Sequence, residues 1–280
     1  MAMAVAGSSG NGSGPARRVK AIQPMARLSV VIPAFNEAER LPPTLQEIIR
    51  YLGAMPEWLP AELIVVDDGS LDGTADAAAA TEAPVGLALA VIRHARNRGK
   101  GAAVRSGFLE SRGAQILLCD ADLASPIDQL AVLAASGTRD AVRIGSRALD
   151  RSLIAIRQPS YRDLMGRTFN LAVRALVLPG IHDTQCGFKL FPGDLGRALA
   201  AAQRIDGFAF DVELLFLARR WGAPVVEVPV CWRHIEASRV RPLLHSAQML
   251  RDLTWLRLRA AAGTLPPGPR LPQPEGRDRG

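Results

Sequence analysis

Four times within the first 120 residues, a short and nearly unbroken apolar run recurs: Leu28-Ser29-Val30-Val31-Ile32, Ala61 to Val66, Leu87 to Arg93 and Ile116 to Cys119. Helical patterns separate them, at about Glu37–Leu52, in an alanine-rich stretch after Asp72, and at Gly101–Ser111. Strands that are apolar throughout must be covered on both faces, and helices between them supply the cover. This alternation restricts the chain to an α/β fold, with a mostly parallel central sheet flanked by helices. Pro33 is expected to end the first strand. Beyond Asp122 the pattern loosens. Helices are expected near Ile127–Ala135, Tyr161–Leu178, Asp211–Trp221 and Pro242–Arg259, strands near Ala141–Ile144 and Val225–Val230, and a mixed segment at Gln185–Phe191. The economical division is one domain over 27–262, with a nucleotide-facing half to 125 and an acceptor-facing half from 126. Tails then fall at 1–26 and 263–280.

In such sheets ligands bind beyond the carboxyl ends of the strands, and here those ends are polar. Pro33-Ala34-Phe35-Asn36-Glu37 follows the first strand and Asp67-Asp68-Gly69-Ser70 the second. Carboxylates there can accept hydrogen bonds from a nucleobase or a ribose, and Asn36 and Asp72 also suit helix N-caps. The fourth strand ends in Asp120-Ala121-Asp122. Acids one residue apart on an extended chain point to opposite faces, so both reach one cation only if the chain turns, and Leu123 to Pro126 offers that turn. Hard carboxylate oxygens suit Mg²⁺ or Mn²⁺, which commonly share their coordination with substrate phosphates. After the third strand, Asn97-Arg98-Gly99-Lys100-Gly101 opens a helix. Glycines there would let backbone N–H groups approach an anion, with Lys100 adding a point charge.

Composition excludes several classes. A net charge of +7 rests on arginine, since lysine occurs only at Lys20, Lys100 and Lys189. Aromatic residues make up 5% and no basic stripe interleaves with them, which argues against nucleic acid. Cys119, Cys186 and Cys231 lack C-x-x-C spacing, so a zinc site or disulfide framework is not expected. No apolar run approaches the length of a membrane span, and residues 1–14 lack the pattern of a secretory signal. The expected location is cytoplasmic, and the basic balance is compatible with peripheral contact at the inner face of a membrane.

The order Pro-Ala-Phe-Asn-Glu, Val-Val-Asp-Asp-Gly-Ser, Asn97–Gly101 and Asp120–Asp122 resembles family 2 glycosyltransferases. Gly145-Ser146-Arg147, the stretch Asp183-Thr184-Gln185-Cys186-Gly187-Phe188-Lys189-Leu190-Phe191, Phe210 to Leu215 and Val228-Pro229-Val230 narrow the resemblance to dolichyl-phosphate β-glucosyltransferases. So do Trp232 to Arg239, Gln248-Met249 and Arg251-Asp252-Leu253. The resemblance implies a GT-A fold, a nucleotide-sugar donor with UDP-glucose favoured, and inverting transfer to a polyprenyl or dolichyl phosphate. By position it implies that Pro33, Ala34, Glu37 and Asp68 face the nucleoside and that Lys100 lies near the diphosphate. Asp120, Ala121 and Asp122 would then line the ribose and metal, and Arg147 would meet the acceptor phosphate. The eukaryotic members carry an N-terminal membrane anchor that this sequence does not show.

A phosphate acceptor is largely ionised at neutral pH and needs positioning more than a base. Arginine suits that task, with Arg147 first and Arg157 and Arg162 behind it. The resemblance also implies that Asp183 and Gln185 line the acceptor site and that Asp211 acts as a base or acceptor-site organiser; a helix N-terminal charge is the other reading of Asp211. The four histidines are expected to be structural. On the last helix, Leu243, Ala247, Leu250, Leu253 and Leu256 form one apolar face, flanked by Arg239, Arg241, Arg251, Arg257 and Arg259 that could meet lipid headgroups. The competing readings are another donor such as GDP-mannose, a soluble acceptor, and a nucleotide-sugar-binding module without turnover.

Overall fold

The computed structural model describes residues 26–156, 160–235 and 242–269. The expected alternation is present: β1 (Leu28–Ala34), α1 (Leu41–Gly53), β2 (Ala61–Asp67), α2 (Thr74–Ala79), β3 (Leu87–Arg93), α3 (Lys100–Glu110), β4 (Gln115–Cys119) and α4 (Gln129–Ala135). The second half adds β5 (Val142–Ser146), β6 (Ile154–Ile156), α5 (Ser160–Leu176), β7 (Phe188–Pro192), α6 (Gly193–Ala202), α7 (Phe210–Arg220), β8 (Val225–Pro229), β9 (Trp232–Arg233) and α8 (Pro242–Ala261).

A seven-stranded sheet runs in the order β3-β2-β1-β4-β7-β5-β8, and β6 pairs with β9 in a small separate ribbon. All pairings in the large sheet are parallel except those of β7, which runs antiparallel to both β4 and β5. The sheet divides the core in two. Val31, Ile64, Val66, Ile116 and Leu118 pack on one face with α3, α6, α7 and α8, while Val30, Ile32, Leu63, Val65 and Leu117 pack on the other with α1 and α4. This strict alternation along each strand explains why the runs read as continuously apolar: both faces are covered.

Several boundaries depart from the sequence reading. Pro33 lies inside β1, opposite Val66. It is tolerated because β4 pairs only with Leu28–Val31, so no neighbour on that side requires its missing N–H. The first helix starts at Leu41 with prolines in its first turn. Asn36 is not its cap. Asn36 has φ of 54°, and its Oδ1 accepts from the Leu71 N–H at 2.9 Å, tying the β1 loop to the β2 loop. Asp72 sits one residue ahead of the α2 cap Gly73 and accepts from the Thr74 N–H at 3.1 Å and the Ala38 N–H at 3.2 Å. α6 was not legible, since Gly193 and Gly196 depress helix propensity; burial of Leu195 and Leu199 stabilises it nonetheless. The ordered chain also continues beyond 262: Leu265 is buried, and the Trp221 indole donates to the Pro266 carbonyl at 3.2 Å.

Candidate active site

The carboxyl ends of β1, β2 and β4 gather where the sequence placed the polar clusters. The Asp68 N–H donates to the Ala34 carbonyl at 2.9 Å, joining the ends of β1 and β2. Asp68 is buried, and both oxygens of its carboxylate are engaged by the protein. Oδ1 accepts from the Arg98 N–H at 3.0 Å and lies 2.7 Å from His94 Nδ1; Oδ2 accepts from the Gly99 N–H at 2.8 Å. His94 Nε2 in turn meets Ser106 Oγ at 2.9 Å. Asp68 and His94 thus fix the loop before α3, a structural role for His94 as expected. Pro33 and Ala34 are buried in β1, and the Glu37 carboxylate is paired with Arg40 at 2.6 Å.

The glycine loop corrects one expectation. Gly99 has φ of 105°, and a Cβ there would overlap the Asp206 carbonyl; one on Gly101 would meet the Ile205 carbonyl. The Ala102 N–H donates to Asp206 O at 3.2 Å, and Gln203 Nε2 donates to Gly101 O at 2.9 Å. Glycine is therefore required so that residues 205–206 can lie against the loop, which leaves Lys100 as its reaching group. Lys100 Nζ stands 2.7 Å from Asp120 Oδ1. Burial alone would depress this ammonium, but Asp120 and then Asp211 outweigh it, and the pKa is raised.

Asp120 begins the anticipated turn: the Leu123 N–H donates to its carbonyl at 3.2 Å, with Leu123 at φ 47°. Thr44 Oγ1 of α1 donates to the Ala121 carbonyl at 2.8 Å and pins the turn from behind. Asp122 Oδ1 accepts from the Ala124 N–H at 3.1 Å. Burial, and then the neighbouring Asp120 charge, lift the Asp122 pKa. Two acids crowding one another in this way favour a cation between them. Among the described residues no group of three or more His, Cys, Asp or Glu side chains forms a ready metal cage.

On the other side of β4, Arg147 leaves the end of β5. Its Nε and Nη2 donate to Asp183 Oδ2 and Oδ1 at 2.6 and 2.8 Å, its backbone N–H donates to Oδ2 at 3.0 Å, and the guanidinium lies 5.4 Å from the Trp232 ring centroid. Burial would raise the Asp183 carboxyl, but Arg147 overrides it and holds the pKa at about 2. Glu227 supports the clamp, accepting from the Asp183 N–H at 2.7 Å, Ser146 Oγ at 2.6 Å and the His182 N–H at 2.8 Å. The Gln185 N–H donates to Asp183, while its Nε2 is buried without a hydrogen-bond partner. Asp211 is paired with Lys189 at 2.6 Å; burial lifts its carboxyl while Lys189 opposes the shift. Glu213 is separate, accepting from the Ile205 N–H at 2.7 Å and bracing the 204–206 loop. Arg162 falls in α5, but its side chain and all of Arg157 lie outside the described residues, as do Arg239 and Arg241.

The structure thus brings Lys100, Asp120 and Asp122 together, and binds Arg147 to Asp183. Sequence reasoning missed Glu227, Lys189 and the aromatic partner role of Trp232. Lys189 carried a signal, being one of three lysines in an arginine-rich chain and lying within an otherwise apolar strand.

An α/β domain with acids on the turn after β4 and a lysine at the start of α3 has the architecture of GT-A glycosyltransferases. The structure of glucosyl-3-phosphoglycerate synthase from Mycobacterium tuberculosis in complex with Mn²⁺ and UDP-glucose superposes with a TM-score of 0.57, covering 86% of this chain and 80% of that one at 22% identity. The glycosyl transferase family 2 model matches residues 29–192. The human dolichyl-phosphate β-glucosyltransferase is 39% identical over 253 residues, which span 86% of this chain and 78% of the relative. The Drosophila melanogaster enzyme of the same name is 39% identical over 252 residues, spanning 86% and 77%. The chain belongs to glycosyl transferase family 2 and is a glycosyltransferase. Among the described residues, no helix is long and apolar enough to cross a membrane.

Proposed function

We propose that this enzyme transfers glucose from UDP-glucose to a dolichyl or polyprenyl phosphate with inversion at the anomeric carbon. The single observation that carries the acceptor half is the geometry of Arg147. Asp183 occupies the Nε/Nη2 edge of the guanidinium, leaving Nη1 and the outer hydrogen of Nη2 for a phosphate. The names of the relatives at 39% identity support the lipid acceptor and the glucosyl donor.

The donor half lies over β1, β2 and β4. Pro33, Ala34, Glu37 and Asp68 shape the nucleoside end, and Ala121 presents its backbone beside the ribose. Lys100 meets the diphosphate. The donor set of Asp120 and Asp122 fits Mg²⁺ or Mn²⁺: both are hard oxygen ligands, and with no third ligand grouped there among the described residues, coordination positions remain for phosphate oxygens. A divalent cation bound there would supply charge neutralisation as the nucleoside diphosphate departs. Lys100 adds a second positive charge on the same leaving group. Arg147 and Gln185 hold the acceptor phosphate, whose own oxygen attacks without a strong base. Asp183 keeps Arg147 aimed.

Contact with an anionic membrane surface accompanies this reading. On α8, Met249, Leu253 and Leu256 are buried, whereas Leu250, Trp255 and Leu258 are exposed beside Arg251 and Arg257. Leu250 therefore leaves the single apolar face expected from spacing, and Arg259 stacks on Trp255 at 4.8 Å. Apolar groups among arginines suit a headgroup layer.

The test is a screen of radiolabelled nucleotide sugars with polyprenyl phosphate in anionic vesicles, at low and high salt. Label from UDP-glucose should pass into the organic phase with added Mg²⁺ or Mn²⁺, and the protein should sediment with vesicles at low salt. Labelling only from another nucleotide sugar would overturn the donor assignment. Absence of sedimentation at low salt would remove the membrane contact.

A further inference from the structure

Lys189 lies in β7, inside the sheet, with its side chain 1% exposed. A buried ammonium is costly unless paired. Its Nζ donates to Asp211 Oδ1 at 2.6 Å and to the Cys186 carbonyl at 2.5 Å, and Asp211 is itself 4% exposed. A buried ion pair contributes little stability that a well-packed apolar pair would not also give. Core packing alone therefore does not account for it.

Its surroundings do. Two residues before Lys189, a Cβ on Gly187 would overlap the Asp120 carboxylate, so the backbone of this segment lies directly against that acid. One residue before Asp211, Phe210 Cβ lies 2.7 Å from where a Cβ on Gly101 would stand, next to Lys100. Lys100 Nζ stands 2.7 Å from Asp120 Oδ1, and the Asp211 charge, with no direct ion pair to Lys100, acts on the same ammonium through space. Charges thus alternate through Lys189, Asp211, Lys100 and Asp120, and two glycines permit the close approaches that hold them in register.

We propose that Lys189 is a positioning residue of the donor site: it anchors Asp211, and Asp211 with Asp120 fixes the Lys100 ammonium where the diphosphate leaving group binds. Asp211 then serves as a charged strut. This deepens the donor reading above and rests on Lys100 meeting the diphosphate.

The test is calorimetric titration of UDP with Mn²⁺ into the wild-type chain, Lys100→Met, and the double variant Lys189→Met/Asp211→Leu, each with its melting temperature. The double variant removes both buried charges, so it should melt near the wild type, while its Kd for UDP rises about tenfold. A purely structural pair would leave that Kd unchanged at matched stability, and this result would overturn the proposal. Asp211→Asn keeps the shape and a hydrogen bond to Lys189. It should also weaken UDP binding, so wild-type affinity in Asp211→Asn overturns the proposal even if the double variant does not fold. Wild-type affinity in Lys100→Met would sink the donor reading and this proposal together; loss there, with tight binding in the double variant, sinks this proposal alone.

Discussion

Asp120 and Asp122 stand on one turn, whereas Arg147 and Asp183 are 36 residues apart and meet only because β5 and the segment before β7 end side by side. The acid turn is shaped by near neighbours, the Leu123 and Ala124 N–H groups, and only pinned from a distance by Thr44 of α1. The arginine clamp is built from distant ones: Asp183 from the loop before β7, Glu227 from β8 and Trp232 from β9. At the acid turn, like charges crowd and lift the Asp122 pKa. In the clamp, opposite charges pair and hold Asp183 at about 2. Lys100 balances one of the two acids, so the turn keeps one carboxylate charge to spare, whereas the clamp pairs its arginine with its acid. Under the proposed function, the first arrangement suits a donor side that takes up a cation and the second an acceptor side that holds a phosphate still.

The largest effect should come from breaking the uncompensated side. Asp122→Ala should lower kcat on the order of 10²–10³-fold while leaving the melting temperature within a few degrees, because it relieves crowding as it removes a ligand. Near-normal metal-dependent turnover in this variant would end the assignment of Asp122 to the cation.

Arg147→Lys comes next. It keeps a cation for Asp183 but loses the planar edge, so the acceptor KM should rise roughly tenfold with the donor KM unchanged. An equal rise in both would show that Arg147 does not separate the two substrates.

The clamp should also mark the acid limb of stability. The folded pKa of Asp183 is depressed to about 2 from its ordinary 3.8, so its contribution is complete above the unfolded pKa and fades as pH falls through the folded value. Acid unfolding followed by circular dichroism should show this, and Asp183→Asn should flatten the dependence between about pH 4 and pH 2. An unchanged acid profile would mean the pair is not formed in solution.

Glu227→Gln should be the mildest change. It weakens charge-assisted hydrogen bonds behind the clamp at a cost of about 1–2 kcal/mol, with a small rise in acceptor KM. A strong donor effect from Glu227→Gln would erase the distinction between the two regions.

The sequence revealed most where the candidate site is made of local structure. Asp120, Asp122 and Lys100 could be named because a strand end, a turn and a helix start are each written in a few consecutive residues. The same reading misjudged the glycines of 99–101. Their small size looked like room for an anion, yet the space is filled by the carbonyls of residues 205–206, which no local pattern announces. Lys189 and Glu227 were passed over for the same reason. A charged residue in an apolar strand signals that it has a partner without naming it, and Asp211 and Asp183 lie 22 and 44 residues away.

By itself the sequence determined the α/β alternation, the polar carboxyl edge and the pair of acids on its central turn, because the periodicity of apolar residues and the chemistry of turns act over a few positions. Only the tertiary structure decided that β7 inserts antiparallel between β4 and β5, carrying Gly187 against Asp120 and Lys189 into reach of Asp211. Charge pairing in a buried site depends on distances between segments far apart in the chain, and those distances are fixed only when the sheet assembles.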